Sequence, residues 1–159
     1  MKLDHVAVAV RDLASAVHLW GDMLGGTYKQ GLANFHGFSS VQLQYDNGSR
    51  VELISPSPEP DTFVRRFLEK RGEGMHHMTF IVSDLRTEVH RFKQAGFRIV
   101  DEDYSDGHWM EAFISPPMAH GVLIQLAQSD LTQEEQDAYW DNPLEEVLAA
   151  ADAAYREGS

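Results

Sequence analysis

Four polar residues interrupt apolar, strand-like runs of this 159-residue chain. They are two imidazoles, one carboxylate and one amide: His5, Glu52, His77 and Gln125. A polar side chain buried without a partner is costly, so each residue taken alone is explained by an outward-facing place on a half-exposed sheet. Taken together, two imidazole nitrogens and two side-chain oxygens form a donor set that suits a divalent metal ion.

An internal repeat relates these four positions. Three pairs of segments carry it at an offset of 72 or 73 residues: His5 and His77, Asp12-Leu13 and Asp84-Leu85, and Gly48 to Glu52 and Gly121 to Gln125. Folding a duplicated unit about a pseudo-twofold axis brings equivalent strands to equivalent depth. The repeat therefore predicts that the four polar side chains meet in one place.

Each repeat has the pattern of a strand, a helix and three strands. The apolar runs Leu3 to Val10 and Met75 to Val82 predict the first strand of each module. Asp12 and Asp84 are good N-caps for the helices that follow. The sequence therefore predicts an α+β fold of two βαβββ modules, residues 1–54 and 74–128.

The remaining segments have different compositions. Three prolines between residues 55 and 60 mark a linker, and a short helix over 61–71 completes the segment 55–73. Residues 129–159 are predicted to form an acidic helical tail. Its second helix has an apolar stripe that we expect to dock on the body or on a second subunit: Leu144, Val147, Leu148, Ala151 and Tyr155.

The bulk composition restricts the partners. The net charge of −12 argues against nucleic acid as a partner, and nine of the acidic residues lie from Asp130 onward. No apolar run approaches the roughly 18 residues that span a bilayer, so no membrane partner is expected. The N-terminus enters a strand pattern at once, and there are no cysteines. These features favour a cytoplasmic protein with a small-molecule substrate, and a homodimer is expected.

The repeat and its motifs resemble the vicinal oxygen chelate superfamily, which includes glyoxalases, bleomycin resistance proteins and dioxygenases. The segments that carry the resemblance are Leu3-Asp4-His5-Val6, Val51-Glu52-Leu53, Gly74-Met75-His76-His77-Met78 and Gly121-Val122-Leu123-Ile124-Gln125-Leu126. Within the superfamily, residues 1–128 are most similar to the methylmalonyl-CoA epimerase and glyoxalase I branch. The resemblance implies one curved sheet around a central metal site.

The resemblance also implies which residues bind the metal. The second histidine of the pair is the ligand, which gives His5, Glu52, His77 and Gln125, with His76 on the opposite face. Epimerases of this branch use His, Gln, His and Glu in chain order, and bacterial glyoxalase I uses His, Glu, His and Glu, so this chain matches neither set. The final glutamate of the relatives is implicated in proton transfer, but an amide such as Gln125 is no base near neutral pH.

Glu111 is the substitute base that the sequence suggests. If the last hairpin is centred on Met118, Glu111 stands directly opposite Gln125, whereas a slip of one residue would turn it outward. Glu52 is the alternative base if it does not bind the metal. Four further residues lie in or near turns and are expected to be exposed or to serve packing: His36, His108, Trp109 and His120.

These observations predict a metal-dependent epimerase, isomerase or lyase. A divalent ion (Zn, Ni, Co, Mn or Fe) would polarise a carbonyl of a small acyl thioester or 2-oxo compound for proton transfer. An extradiol-type dioxygenase is the alternative enzyme, because two histidines and a carboxylate also make a facial triad. A metal-free ligand-sequestering protein of the same fold is the non-enzyme alternative.

Overall fold

The computed structural model describes residues 1–157. Its strands are β1 (Lys2–Ala9), β2 (Thr27–Phe35), β3 (Phe38–Gln44), β4 (Arg50–Pro56), β5 (Gly74–Ile81), β6 (Ile99–Asp103), β7 (Met110–Ile114) and β8 (Leu123–Gln128). Its helices are α1 (Leu13–Val17, continued by a π-helical segment His18–Met23), α2 (Phe63–Arg71), α3 (Leu85–Gln94), α4 (Gln133–Tyr139) and α5 (Leu144–Glu157). None of these helices combines the length and apolar character needed to cross a membrane. The order β1-α1-β2-β3-β4 returns as β5-α3-β6-β7-β8, so the predicted α+β fold of two βαβββ modules is confirmed.

The two modules begin their helices in the same way. Asp12 accepts a hydrogen bond from the Ser15 backbone N–H at 3.0 Å, and Asp84 accepts one from the Thr87 N–H at 2.9 Å. Each carboxylate satisfies a backbone donor that has no partner inside the helix. The bonds from the Thr87 backbone and hydroxyl hold the pKa of Asp84 below its usual value. Both modules of the repeat therefore begin their helix with an aspartate N-cap.

The chain forms two compact units, which divide it differently from the modules of the repeat. The first unit contains residues 1–6 and 76–133, and its strands lie in the order β1-β5-β8-β7-β6. The second unit contains residues 7–75 together with the tail from residue 134, with strand order β2-β3-β4-β1. The start of β1 belongs with the second module because it lies beside β5, and the tail is an integral part of the second unit.

Each unit has its own core. In the first unit, α3 packs on β7 and β8 through Leu85, Val89, Ala112, Ile114 and Leu126. In the second unit, α1 and α5 pack on β3 and β4 through Leu13, Val41, Leu43, Leu53 and Val147. A smaller cluster joins α2 to β1 and β4. Because alternate strand residues point to opposite faces, these cores leave one face of each strand for polar side chains.

The tail docks on the body of the second unit. Val147 is fully buried, Ala151 is 5% exposed, and Leu144 and Leu148 pack against the same core, so most of the apolar stripe packs within this chain, whereas Tyr155 is 46% exposed. Gly31 on β2 donates its N–H to the Trp140 carbonyl at 3.0 Å and accepts from Asn142 Nδ2 at 2.7 Å. A Cβ at Gly31 would lie 2.7 Å from the Tyr28 hydroxyl and 3.2 Å from Val147 Cγ2, so the glycine permits this close approach.

A bidentate ion pair fixes the first tail helix. Arg50 Nη1 and Nη2 donate to the two carboxylate oxygens of Asp137 at 2.6 and 2.7 Å, and the Arg50 side chain is 5% exposed. Asp137→Ala is expected to lower the free energy of unfolding by about 3 kcal/mol, because it removes a bidentate carboxylate from a guanidinium group that stays buried. Urea denaturation measures the change. The control Asp152→Ala, which breaks the exposed pair with Arg156, should cost less than about 1 kcal/mol; equal losses in the two variants would contradict the assignment.

Tyr28 makes the docking sensitive to alkaline pH. Burial, followed by the charges of Asp141 and Glu145, raises the pKa of Tyr28 to about 12. Its hydroxyl donates to the Asn142 carbonyl in the tail. Because the pKa is raised on folding, the stability from this hydroxyl is fully present below pH 10 and is lost as the pH rises through about 12.

We therefore expect the free energy of unfolding to fall between about pH 10 and 12 more steeply in the wild type than in Tyr28→Phe. Denaturant unfolding at a series of pH values measures the two slopes. Subtracting one curve from the other removes the titration of the remaining tyrosines. Identical slopes would show that Tyr28 does not report on tail docking.

Candidate functional site

Two buried histidines lie close together in the first unit. His5 on β1 is 3% exposed and His77 on β5 is 7% exposed. Their possible ligand nitrogens lie within 4.8 Å of each other, and their ring centroids are 5.8 Å apart at an interplanar angle of 72°. Neighbouring strands thus bring together two imidazoles that are 72 residues apart in the sequence.

The Nδ1 atom of each ring has a partner that orients it. His5 Nδ1 lies 2.8 Å from Asp4 Oδ2, and His77 Nδ1 lies 2.8 Å from His76 Nδ1. Where Nδ1 of a neutral imidazole is the donor, Nε2 is left as the nitrogen that can bind a metal ion. This holds for His5 when it donates to the Asp4 carboxylate, and for His77 in the tautomer whose Nδ1 donates to His76. The sequence did not predict a role for Asp4 or His76. His76 is only half-buried, as the alternation along β5 requires, yet its ring contacts His77 rather than standing apart from it.

Thr79 connects the histidines to β8. It is fully buried, and its hydroxyl donates to Gln125 Oε1 at 2.5 Å while lying 3.0 Å from His5 Nε2. Thr79 stands directly opposite Gln125 in the parallel pairing of β5 and β8. The sequence analysis missed Thr79, although it lies two residues after His77 and must therefore share its face of the strand.

Gln125 in turn holds Glu111. Gln125 Nε2 donates to Glu111 Oε2 at 2.6 Å, and Trp109 Nε1 donates to the same oxygen at 2.9 Å. Trp109 was expected only to pack or to be exposed, but its indole N–H holds the carboxylate of Glu111. With the amide in this orientation, Gln125 accepts from Thr79 at one end and donates to a carboxylate at the other. A row of polar contacts runs from His5 to Glu111. Because Thr79 donates its proton to Gln125, its contact with His5 is a hydrogen bond only when His5 Nε2 carries a proton.

The strand register differs from the one predicted. Gln125 stands opposite Phe113 and Glu111 opposite Ala127, so the hairpin is centred on Ala119 rather than Met118. The connection is longer on its C-terminal side because the 3₁₀ turn Pro116–Met118 runs into a second turn, closed by the bond from the Val122 N–H to the Ala119 carbonyl. Moving the centre by one residue moves each partner by two, so Glu111 stays on the face of Gln125 as its diagonal neighbour.

Glu52 lies in the second unit. It is half-buried on β4, opposite Gln42 of β3, and it points away from the face on which Leu53 enters the core. Glu52 therefore lies on the face of β4 that is turned away from this core. The prediction that Glu52 binds a metal rests on its place in the repeat and on the family resemblance.

The three weaker histidine candidates lie in turns or at the surface. His36 and His120 have positive φ values of 47° and 54° at turns. His108 bonds Asp130 at 2.8 Å on the surface, and this carboxylate raises the pKa of His108. Turn positions with positive φ are chosen by backbone geometry, which accounts for His36 and His120 without a functional role.

Comparisons with known proteins place the chain in a family. Residues 4–113 match the model of the Glyoxalase/Bleomycin resistance protein/Dioxygenase superfamily. The mitochondrial methylmalonyl-CoA epimerase of Homo sapiens is 31% identical over 132 residues, covering 80% of this chain and 74% of that protein. The ethylmalonyl-CoA/methylmalonyl-CoA epimerase of Cereibacter sphaeroides is 30% identical over 132 residues, covering 80% and 97%.

The solved structures agree with the sequence matches. The crystal structure of methylmalonyl-CoA epimerase from Mycobacterium tuberculosis superposes with a TM-score of 0.72 at 30% identity, covering 82% of this chain and 89% of that one. The repeat, the paired histidines and these matches lead to the same assignment. The chain belongs to the glyoxalase, bleomycin resistance protein and dioxygenase superfamily, and its relatives include methylmalonyl-CoA epimerases.

Proposed function

We propose that this protein is a metal-dependent epimerase, isomerase or lyase of the glyoxalase type. It moves the proton on the carbon next to a carbonyl group of a small acyl thioester or 2-oxo compound. The observation that carries the proposal is the polar row of the first unit, which joins a carboxylate, Glu111, to His5, beside which the second imidazole, His77, lies. The similarity to methylmalonyl-CoA epimerases supports an acyl thioester as the substrate class.

The residues of the row fit a divalent metal ion. His5 and His77 would bind it through Nε2, in the tautomers whose Nδ1 atoms donate to Asp4 and His76, and His5 Nε2 would exchange its contact with Thr79 for the ion. Gln125 would add its amide oxygen, and Glu52 is the predicted carboxylate ligand. Nitrogen and oxygen donors of this kind suit Zn, Ni, Co, Mn or Fe. A bound ion supplies Lewis acidity, which stabilises the negative charge that develops on a carbonyl oxygen when the α-proton leaves.

We assign the proton transfer to Glu111. A carboxylate can accept a proton from an α-carbon, whereas the amide of Gln125 cannot. Gln125 and Trp109 both donate to Glu111 Oε2 and so fix the direction of the carboxylate. Thr79 holds the other end of the Gln125 amide and thereby determines which end faces Glu111. Glu52 takes the role of the base if it does not bind the ion.

The alternative functions make different demands on the protein. A dioxygenase of the extradiol type needs the two histidines, a carboxylate and oxygen. A ligand-sequestering protein needs no metal. Protein prepared in metal-free buffer is reloaded with each of the five candidate ions and its metal content is measured. It is then incubated with methylmalonyl-CoA in D₂O, and in parallel with a catechol under air after loading with ferrous iron.

We expect stoichiometric metal uptake, deuterium in the α-position of the acyl group and no oxygen consumption. Oxygen consumption without α-exchange would replace the epimerase by a dioxygenase. A failure to take up any of the ions would favour the sequestering protein. The homodimer and the cytoplasmic location remain predictions; light scattering on the purified chain tests the first. Val147 and Ala151 of the α5 stripe are buried within the second unit, so a dimer would not use these two residues.

A further inference from the structure

The second unit contains a small cleft whose walls include none of the residues assigned to proton transfer or metal binding. Its volume is about 130 Å³. Arg11, which follows β1, lies on one side, Arg65 and Glu69 of α2 on another, and Ala154 and Tyr155 of the tail helix close it. The match to the superfamily ends at residue 113, so the α5 wall lies outside the matched region.

Two arginines that form no ion pair within the described chain line this cleft. Arg11 Nη2 donates to the Leu68 carbonyl at 3.1 Å, and Arg65 Nη2 donates to the Ser57 carbonyl at 3.1 Å. By contrast Arg66, the next residue on α2, pairs with Asp61 at 2.6 Å. The chain has 25 acidic residues for 13 lysines and arginines, so carboxylates are abundant. Neither guanidinium group therefore has a carboxylate partner among the described residues, although Glu69 lines the same cleft and Glu73 accepts from the Arg11 backbone N–H at 2.7 Å.

Arg65 also has an unsatisfied donor. Its Nε is buried and has no hydrogen-bond partner among the described residues. A buried donor without an acceptor costs free energy, and such groups in a folded protein call for an explanation. The guanidinium group presents its donors in a planar fork that matches the oxygens of a phosphate or carboxylate. Because this Nε has almost no solvent-accessible surface, an oxyanion in the cleft would accept from the Nη groups of the two arginines.

We propose that this cleft binds a small oxyanion of the phosphate class, either free phosphate or the phosphoryl end of a larger molecule. The volume is well below the roughly 300–1,000 Å³ of pockets for drug-sized ligands, so only a small group fits inside. The charged lining residues are Arg11, Arg65 and Glu69, which leave a net positive charge in a chain whose total is −12. The positive charge is therefore confined to the cleft, and the two guanidinium groups would give it specificity for an oxyanion.

Isothermal titration of the full chain with inorganic phosphate, at constant ionic strength set with chloride, tests the proposal. We expect saturable binding of one phosphate per chain. Arg65→Gln and Arg11→Gln are each expected to weaken it at least about tenfold, because each removes charge-assisted hydrogen bonds. The matched control Arg66→Gln removes the same charge from the same helix outside the cleft and should change the affinity less than about twofold.

A second probe, phenyl phosphate, identifies the source of the phosphoryl group. Tighter binding than inorganic phosphate, with the same dependence on Arg65, indicates the end of a larger molecule; weaker binding indicates the free ion. If Arg65→Gln does not fold, Arg65→Lys keeps the charge but loses the fork and should still weaken binding. Absence of saturable binding, or equal weakening by Arg65→Gln and Arg66→Gln, would overturn the proposal.

Discussion

Glu111→Gln is expected to lower the rate of α-proton exchange by about 10²- to 10⁴-fold, the range associated with loss of a general base. The substitution keeps the size of the side chain and leaves an oxygen that can accept from Trp109 Nε1. Metal content should stay unchanged, because Glu111 is not a proposed ligand. Mass spectrometry of the substrate after incubation in D₂O, together with elemental analysis of the protein, measures both quantities.

Glu102→Gln is the matched control for this variant. Glu102 lies on β6 of the same unit, and its carboxylate pairs with Lys93 at the surface. Glu102→Gln makes the same chemical change away from the polar row, so α-proton exchange should keep nearly the wild-type rate. Full exchange activity in Glu111→Gln would transfer the role of base to Glu52, and Glu52→Gln would then have to abolish it.

The arrangement also explains why an amide at position 125 suits this chain. Gln125 Nε2 lies 2.6 Å from Glu111 Oε2 and donates to it. A carboxylate at 125 would place a second negative charge at this distance, and two such groups cannot both ionise without strong repulsion. Gln125→Glu therefore tests whether the glutamate found in the relatives can work beside Glu111. We expect the two carboxylates to share one proton in this variant.

His77→Ala is expected to remove most of the metal affinity, because it deletes one of the two proposed nitrogen ligands. His76→Ala is expected to weaken binding by about 10- to 100-fold, the range for residues that orient a ligand. The sequence alone suggested that His76 matters only for packing. Its 2.8 Å contact with His77 Nδ1 changes this expectation. Competition with a chromogenic chelator measures each affinity.

His90→Ala is the control for the histidine variants. His90 is an exposed residue of α3 in the same unit, and its loss should leave the metal affinity unchanged. If His76→Ala stripped the metal while His77→Ala retained it, the assignment of the inner face of β5 would be reversed. If neither affected binding, the ion would lie elsewhere.

The repeat in the sequence was enough to predict the fold. Equivalent segments at one offset require equivalent structures, so the order of strands and helices followed from Asp12, Asp84 and the apolar runs around them. Strand alternation also separated the two adjacent histidines, since His77 is 7% exposed and His76 half-buried. These features depend on local periodicity, which a single sequence carries.

Contacts between distant residues could not be predicted in the same way. The register of β7 against β8 depends on how the turn after Pro116 closes, and a turn that runs on to Val122 shifts the partners by two. The tail carried an apolar stripe, but no periodicity indicates which surface it covers. Likewise, the contact of the His76 ring with His77 depends on side-chain rotamers rather than on strand alternation.

The most direct measurement of the central claim is the rate of α-proton exchange in methylmalonyl-CoA by one preparation in two states, stripped of metal and reloaded. The polar row from His5 to Glu111 predicts that the reloaded wild-type protein incorporates deuterium at the α-carbon, that the stripped protein does not, and that reloaded Glu111→Gln binds the ion without catalysing exchange. Exchange at the same rate in the stripped and reloaded protein, or full exchange by reloaded Glu111→Gln and Glu52→Gln alike, would contradict the proposed metal-dependent proton transfer.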